Sequence, residues 1–170
     1  MSSIILGIDP GLAITGFGIL ESSGRDSQKV LGYGVIRTEA HTPLSDRIVQ
    51  IRDELRSILH EFKPDIVAVE KLYFGKNAKT AMIVGQARGV VLLTIADEKL
   101  PLCEYTPMQI KLALTGYGKA DKRQMQHLVQ QLLNLKEMPK PDDAADALAV
   151  ALTAIATNDE LIEETYRRNA

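Results

Sequence analysis

The residues best suited to chemistry are acidic, and they lie far apart in the chain. Asp9 ends the apolar segment 4–8, and Glu70 ends a second apolar segment. A carboxylate at the end of a buried segment is costly unless a cation or a hydrogen bond compensates its charge. Asp143 and Asp146 are three residues apart near the C-terminus, so they share one face of a predicted helix.

Carboxylates brought close together repel one another, and a hard divalent cation relieves this repulsion because it prefers oxygen ligands. Two such ions can activate a water molecule and stabilise the leaving oxygen in phosphodiester hydrolysis. A zinc site is not indicated, because His41, His60 and His127 are scattered and Cys103 is the single cysteine. The acids therefore favour a divalent-metal site.

A structural interpretation of the same acids stays open at this point. Asp9 fits an Asx turn that caps a hairpin, and an aspartate in the first turn of a helix is commonly an N-cap. Capping explains Asp142 or Asp143, and spacing does not choose between them as partners of Asp146. Capping does not explain Asp146, because alanines surround it on an otherwise apolar helix.

The elements that must position these acids begin with three predicted strands. Segments 4–8 and 14–20 are apolar, and Pro10-Gly11 between them predicts a tight turn in which glycine supplies a positive φ. Segment 30–37 is a third, glycine-rich strand expected at a sheet edge. Short connections between the three predict an antiparallel meander.

Helices and strands alternate in the rest of the chain. A helix from Pro43 to Lys63 leads into strand 65–70, and this crossover predicts parallel pairing with strand 4–8. Further elements are predicted at 78–97 (helix), 102–105 (strand), 107–115, 121–133 and 142–157 (helices). The fold class is thus α/β, a mixed sheet flanked by helices. The crossover makes the strands that end in Asp9 and Glu70 parallel, and ligands collect at the carboxyl ends of such strands. If the two strands are neighbours in the sheet, the two carboxylates lie side by side.

Composition is that of one globular domain, expected over residues 1–157, followed by a charged and frayed tail at 158–170. The net charge is −2, but residues 71–123 carry a net +5, which permits a local cationic face. Neither a membrane span nor a secretory signal is predicted. Cys103 is expected to be a small buried side chain, so nothing contradicts a reducing cytoplasm.

Four blocks of sequence carry a resemblance to one known family. The first is Gly-Ile-Asp-Pro-Gly with Thr-Gly-Phe-Gly at 7–18, and the second is Val-Glu-Lys-Leu-Tyr-Phe-Gly-Lys-Asn-Ala at 69–78. The others are Gly-Gln-Ala-Arg-Gly-Val at 85–90 and Asp-Ala-Ala-Asp-Ala-Leu-Ala at 143–149. These blocks resemble the opening, the second acidic block and two further blocks of the RuvC-type Holliday junction resolvases. They occur in order over nearly the whole chain, so together they are far more specific than any one alone.

This resemblance implies a ribonuclease-H-like fold and a homodimer that nicks two symmetric strands of a four-way DNA junction in recombination and DNA repair. It implies Mg²⁺ as cofactor, with Mn²⁺ as a substitute and one or two ions per subunit. Its catalytic and metal-binding acids fall on Asp9, Glu70, Asp143 and Asp146, which selects Asp143 over Asp142. It also implies contact with a RuvA–RuvB branch-migration complex and a cytoplasmic, nucleoid-associated location in a bacterial cell.

Candidate DNA-binding residues lie in the cationic segment. The resemblance places an aromatic of the junction centre at Tyr73, where many members have phenylalanine, and backbone-contacting lysines at Lys111 and Lys122. Aromatics interleaved with lysines suit an unstacked base beside phosphates. The full candidate set is Tyr73, Phe74, Lys76, Lys79, Lys111, Lys119, Lys122 and Arg123. For Phe74, a core role that anchors the loop is the favoured interpretation.

The long apolar helix 78–97 is the expected dimer interface. Two active sites on a two-fold junction require an isologous dimer. Small residues at Ala81, Gly85 and Gly89 would let two backbones approach closely. Part of the same helix is expected to pack on the protein's own sheet.

Three other functions are considered. The hairpin motif also resembles the phosphate loop of actin-like ATPases and sugar kinases, but those enzymes need a second domain for which this chain has no room. Another nuclease of the same fold, such as the YqgF-type RNA-processing proteins, shares the Asp-Pro-Gly opening but is expected to lack the Asp-Ala-Ala-Asp-Ala-Leu ending. A catalytically inactive junction-binding module is disfavoured because all four acids are present.

Overall fold

The computed structural model describes residues 2–24, 27–71 and 78–157, without the side chains of residues 78–80. The elements of this part of the chain are, in order, β1 (Ser3–Asp9), β2 (Ile14–Ser22), β3 (Gln28–Arg37), α1 (Leu44–Phe62), β4 (Ile66–Glu70), α2 (Ala78–Asp97), β5 (Leu102–Tyr105), α3 (Pro107–Thr115), α4 (Lys122–Leu132) and α5 (Asp142–Thr157). This order and the element types confirm the prediction. The largest differences in strand boundaries are two residues each, because β2 extends to Ser22 beyond the predicted end at residue 20 and β3 begins at Gln28 before the predicted start at residue 30.

The strands form one mixed sheet in the order β3-β2-β1-β4-β5. The first three strands pair antiparallel as a meander, and β3 lies at the edge as expected. β4 pairs parallel with β1, and β5 pairs parallel with β4. The crossover through α1 therefore brings the carboxyl ends of β1 and β4 to the same edge of the sheet.

Alternating residues of the central strands point to two separate cores. Leu6, Ile8, Val67 and Val69 pack with α1 and α2 on one face. On the other face, Ile5 and Ala68 pack with α5 and with parts of α3 and α4. Because side chains alternate along a strand, Asp9 and Glu70 belong to the second face, the one that α5 covers.

Glycines allow α5 to approach the sheet closely. A Cβ added at Gly7 would lie 2.1 Å from the carbonyl oxygen of Ala147, and one at Gly16 would lie 2.0 Å from that of Asp143. Real side chains cannot occupy such positions, so the backbone of α5 lies directly on β1 and β2. The N-terminal turn of α5 is thereby placed over the end of β1.

Sequence-specific caps set the starts of α3 and α4. Thr106 forms a capping box with Gln109, and Asp121 forms one with Gln124. Asp121, the first residue of the helix predicted at 121–133, is thus the N-cap, and α4 begins at Lys122.

The turn between β1 and β2 differs from the prediction in its backbone. Gly11 does not supply a positive φ; in the described part of the chain the glycines that do are Gly24 and Gly116. Glycine is required at position 11 for space, because a Cβ there would lie 2.3 Å from the carbonyl oxygen of Ile14. Within residues 2–24, 27–71 and 78–157, no helix combines the length and hydropathy needed to cross a bilayer.

Candidate active site

The acids that end β1 and β4 lie side by side. Ile8 is in register with Val69, so Asp9 and Glu70 are neighbours across the next step of the parallel pair. Both residues are partly buried, and this burial is the largest influence on the pKa of each carboxyl group. The ends of β1 and β4 therefore place two carboxylates next to each other.

The start of α5 brings two more acids to the same place. The negative charges of Asp146 and Asp143 both act on Asp9, and that of Asp146 acts on Glu70. The close contact between Gly16 and the backbone of Asp143 explains this proximity, because Gly16 is the β2 partner of Asp9. The structure thus brings together all four acids that the sequence singled out.

Burial and mutual repulsion make these carboxyls hard to ionise. Burial, followed by the charges of Asp146 and Asp143, raises the pKa of Asp9 from 3.8 to about 6. Burial, followed by the charges of Asp9 and Asp146, raises the pKa of Glu70 from 4.5 to about 8. The pKa of Asp146 is also raised by burial, although Lys122 opposes the shift. Perturbed carboxyls clustered in this way are typical of a functional site.

Lys122 lies within this cluster of acids. The sequence predicted it as a DNA contact and gave no indication that it would form ion pairs with the acids. Its ammonium nitrogen is 3.3 Å from Oδ2 of Asp146 and 3.3 Å from Oδ2 of Asp142. Burial lowers the pKa of Lys122, but these two carboxylates outweigh it and raise the pKa overall. Asp142, more than half exposed, is thus an ion-pair partner of Lys122 on the outer side of the cluster.

The donor set fits a hard divalent cation. Four carboxylates could supply oxygen ligands, and a cation would offset both the burial and the mutual repulsion that raise the pKa values of Asp9 and Glu70. In the part of the chain described here, no three of the acidic, histidine or cysteine side chains already converge on one ion-sized point. Lys122 contacts Oδ2 of Asp146, so Oδ1 of that carboxylate stays open to an ion.

The raised pKa values predict how stability depends on pH. Protonated Asp9 and Glu70 stabilise the fold, and this contribution is complete below the unfolded values of 3.8 and 4.5. It is lost as the pH rises through about 6 for Asp9 and about 8 for Glu70. For chelator-treated protein we expect the free energy of unfolding to fall by on the order of 2 kcal/mol over this range. Urea unfolding in EDTA at several pH values measures the effect.

Two variants sharpen this measurement. Asp9→Asn removes one of the repelling charges, so its stability should vary less with pH and exceed that of the unmodified chain at pH 8. Glu61→Gln, at an exposed position of α1, should keep the original pH dependence. Divalent ions should restore stability most at high pH, because they bind the deprotonated carboxylates. A wild-type stability that is constant across the whole range would contradict the expected repulsion.

The other candidate DNA-binding residues fall into two groups. Lys111 lies half-buried on α3, while Lys119 and Arg123 are exposed before and within α4. Tyr73, Phe74 and Lys76 lie outside the described residues, as does the side chain of Lys79. Their contacts with DNA therefore stay predictions.

Beside the acids lies a cavity of about 200 Å³ between α3, α4 and α5. Glu70, Lys122 and Asp146 form the end that it shares with the carboxylate cluster, and the residues of its walls are Pro107, Ile110, Lys111, Met125, Gln126, Val129, Ala145 and Ala149. The sequence gave no direct signal for this cavity. A glutamine on the otherwise apolar face of α4, Gln126 beside Met125, was the one feature that could have drawn attention to it.

The predicted dimer helix α2 exposes apolar surface. Met82 and Leu93 are 68% and 60% exposed. A Cβ added at Gly85 or Gly89 would meet no atom of the described chain within 4 Å, so the fold of one subunit does not require these glycines. On the inner side of the helix, Arg88 forms an ion pair with Glu104 of β5, which anchors α2 to the sheet.

Comparison with known proteins gives the same family in sequence and in structure. The family model for the crossover junction endodeoxyribonuclease RuvC matches residues 5–154. The RuvC protein of Caldicellulosiruptor saccharolyticus is 49% identical over 158 residues, covering 93% of this chain and 95% of that protein. The RuvC protein of Desulforamulus reducens is 53% identical over 149 residues, covering 88% and 91% of the two chains.

A solved structure of Thermus thermophilus RuvC in complex with a Holliday junction substrate superimposes on this chain with a TM-score of 0.84. It is 38% identical and covers 89% of this chain and 92% of its own. The ribonuclease-H-like fold class is thereby confirmed. Identity near one half over nearly the full length, together with this structural match, establishes that the chain belongs to the RuvC family of crossover junction endodeoxyribonucleases.

Proposed function

We propose that the protein resolves four-way DNA junctions in recombination and repair by paired symmetric nicks, with Asp9, Glu70, Asp143 and Asp146 as its catalytic carboxylates. The observation that carries this proposal is the accumulation of acidic charge where β1, β4 and α5 meet. Structural caps would not require four carboxyls from three separate elements to repel one another. Membership of the RuvC family supports the junction as the substrate.

The carboxylates differ in how firmly the fold holds them. Asp9 and Glu70 follow strands whose preceding residues are fully buried, so their backbone positions are rigid. Asp143 and Asp146 lie on the first turns of α5, which the glycine contacts hold against the sheet. We propose that these acids bind one or two Mg²⁺ ions, for which Mn²⁺ can substitute. Such ions supply Lewis-acid activation of the attacking water and neutralise charge on the leaving oxygen.

Basic residues beside the acids are proposed to bind the DNA backbone and to reduce its repulsion by the carboxylates. A phosphate that approaches four carboxylates is repelled unless positive charge lies nearby. Lys122 is within ion-pair distance of Asp146, and Lys111 lies on the wall of the adjoining cavity. Both ammonium groups can therefore offset the charge of the scissile strand, and Lys119 and Arg123 extend the basic surface. Tyr73, Phe74, Lys76 and Lys79 are proposed to contact the centre of the junction.

The proposed enzyme is a homodimer of a single nuclease domain spanning residues 1–157, followed by a tail at 158–170. Two coordinated nicks require two active sites related by a two-fold axis. The exposed Met82 and Leu93 of α2, with Gly85 and Gly89 between them, support this helix as the interface. Contact with a RuvA–RuvB branch-migration complex is part of the same proposal.

The test of this function is nicking of a synthetic four-way junction beside a linear duplex of the same sequence, each with Mg²⁺, with Mn²⁺ and with EDTA. We expect paired nicks in the junction that require the divalent ion, and no cleavage of the duplex. Equal cleavage of both substrates would contradict junction selectivity. Cleavage in EDTA would contradict the metal-assisted mechanism. Binding without cleavage under all conditions would favour the inactive junction-binding module, and cleavage of structured RNA alone would favour an RNA-processing nuclease.

A further inference from the structure

Gln126 occupies an unusual position for an amide. It lies on α4 and is 8% exposed, yet it lines the cavity beside the carboxylate cluster. Among the described residues, the side-chain polar atoms that are fully buried without a partner do not include those of Gln126, so its amide reaches the open space of the cavity. An amide in that position can form hydrogen bonds with a bound molecule.

The walls around Gln126 are apolar and buried. Ile110, Met125 and Val129 are 6%, 7% and 1% exposed, and Ala149 is 4% exposed. An apolar cavity of about 150 Å³ is large enough to hold benzene, so the present cavity of about 200 Å³ has room for one planar base ring. A ring bound there would contact apolar side chains over its faces and meet the amide of Gln126 at its edge.

The mouth of the cavity suits the sugar–phosphate attached to such a base. Glu70 and Asp146 of the carboxylate cluster line the cavity, and so do Lys111 and Lys122. A phosphate held at the carboxylates and lysines therefore leaves its neighbouring base at the cavity entrance. Opening of the junction supplies unstacked bases, which a protein pocket can accept.

We propose that this cavity binds the nucleobase next to the scissile phosphate, and that Gln126 determines which base is accepted. The inference rests on the proposed function, because it requires a DNA strand at the carboxylates. A glutamine amide has one acceptor and two donor hydrogens, so it pairs with the edge of a base and discriminates among bases. The cavity then sets the sequence preference of cleavage, while the four acids carry out the hydrolysis.

The experiment compares wild type with Gln126→Met, which keeps the length of the side chain and removes the amide. Single-turnover nicking is measured on four-way junctions in which the base pair on either side of the scissile phosphate is varied through all four possibilities. We expect wild type to prefer one base at one of these positions. Gln126→Met should reduce that preference by about 5- to 150-fold, which is the range for one good amide–base pair. Its melting temperature should equal or exceed that of wild type, because the amide that is removed faces the open space of the cavity.

Gln131→Met is the matched control, since Gln131 is an exposed glutamine on the same helix. It should leave both the base preference and the melting temperature unchanged. A second variant, Ala149→Val, narrows the cavity and should lower cleavage of the preferred junction more than that of the others.

Each remaining outcome overturns the proposal. An unchanged base preference in Gln126→Met would show that the amide does not read a base. A clearly lowered melting temperature would show that the amide has a structural partner. An equal loss of cleavage on all junctions, with stability kept, would place Gln126 in the chemistry and not in specificity. Failure of wild type to nick any junction would instead refute the proposed function, so the two failures are distinguishable.

Discussion

Asp9→Asn should slow nicking of a four-way junction by at least about a hundredfold while junction binding is retained. The substitution keeps the shape of the side chain and removes a negative charge from the buried cluster at the end of β1. Metal-assisted stabilisation of the transition state supplies several kcal/mol, and each ~1.4 kcal/mol changes the rate about tenfold. Glu70→Gln and Asp146→Asn should show the same loss. Single-turnover nicking and a gel-shift titration with Ca²⁺ in place of Mg²⁺ measure the two properties separately.

Asp142→Asn is the matched control for this prediction. It makes the same chemical change on the first turn of α5 and also removes a carboxylate 3.3 Å from Lys122. Asp142 is 60% exposed, however, and its charge is absent from the causes that raise the pKa values of Asp9 and Glu70. We therefore expect nearly wild-type cleavage from Asp142→Asn and a large loss from Asp143→Asn. Wild-type cleavage rates for Asp9→Asn would refute the proposed catalytic site. A large loss of cleavage in Asp142→Asn with nearly wild-type cleavage in Asp143→Asn would show that Asp142, and not Asp143, belongs to the catalytic set.

The second large effect is expected from bulky residues on α2. Leucine at both Gly85 and Gly89 should raise the dimer dissociation constant at least about a hundredfold. An overpacked contact costs about 1–3 kcal/mol, and the leucines added on both subunits together exceed the ~2.7 kcal/mol that a hundredfold change requires. The fold of each subunit should be unaffected, because an added Cβ at either position meets no atom of the described chain within 4 Å. The resulting monomers should bind junctions weakly and should no longer couple the two nicks. Sedimentation velocity at micromolar concentration and the ratio of singly to doubly nicked junctions measure these effects.

Ser57→Leu provides the control, because it places the same apolar bulk on an exposed position of another helix, α1. It should remain dimeric and should couple its nicks as wild type does. A wild-type protein that sediments as a monomer would refute the dimer. A dimeric double variant with circular dichroism like that of wild type would move the interface away from Gly85 and Gly89.

Local patterns in the sequence determined the elements and their order. The apolar run that precedes Asp9 and the apolar periodicity of the helices each act over a few neighbouring residues, so they can be recognised without the fold. The parallel direction of the strands that end in Asp9 and Glu70 also follows from general rules for crossovers. The sequence left open whether these two strands are neighbours, and the sheet order decided it.

The placement of α5 depended on tertiary contacts. Spacing alone left Asp142 and Asp143 equally suitable, because both are near one helical turn from Asp146. The structure separates them through the backbone of α5, which lies on Gly7 and Gly16 and turns Asp143 towards Asp9 while Asp142 faces Lys122. A glycine is needed at these positions because α5 packs against them. The sequence of the strand itself does not show which element will pack there, so this contact could not be predicted.

The same reasoning explains why Gln126 was not recognised as part of the site, and why Lys122, which the resemblance named as a DNA-backbone contact, was not expected among the carboxylates. On the sequence, Gln126 is one polar residue in an amphipathic helix, and nothing near Lys122 in the chain indicates its acidic partners. The ion pairs of Lys122 and the burial of Gln126 arise only when α4 docks beside α5 and α3, and this docking brings together residues separated by many positions in the chain. Secondary-structure propensity and apolar periodicity act over a few turns of chain, so the sequence alone determined the helices and strands. The charge balance of the carboxylate cluster and the cavity beside it arise from packing between distant segments, so only the tertiary structure determined them.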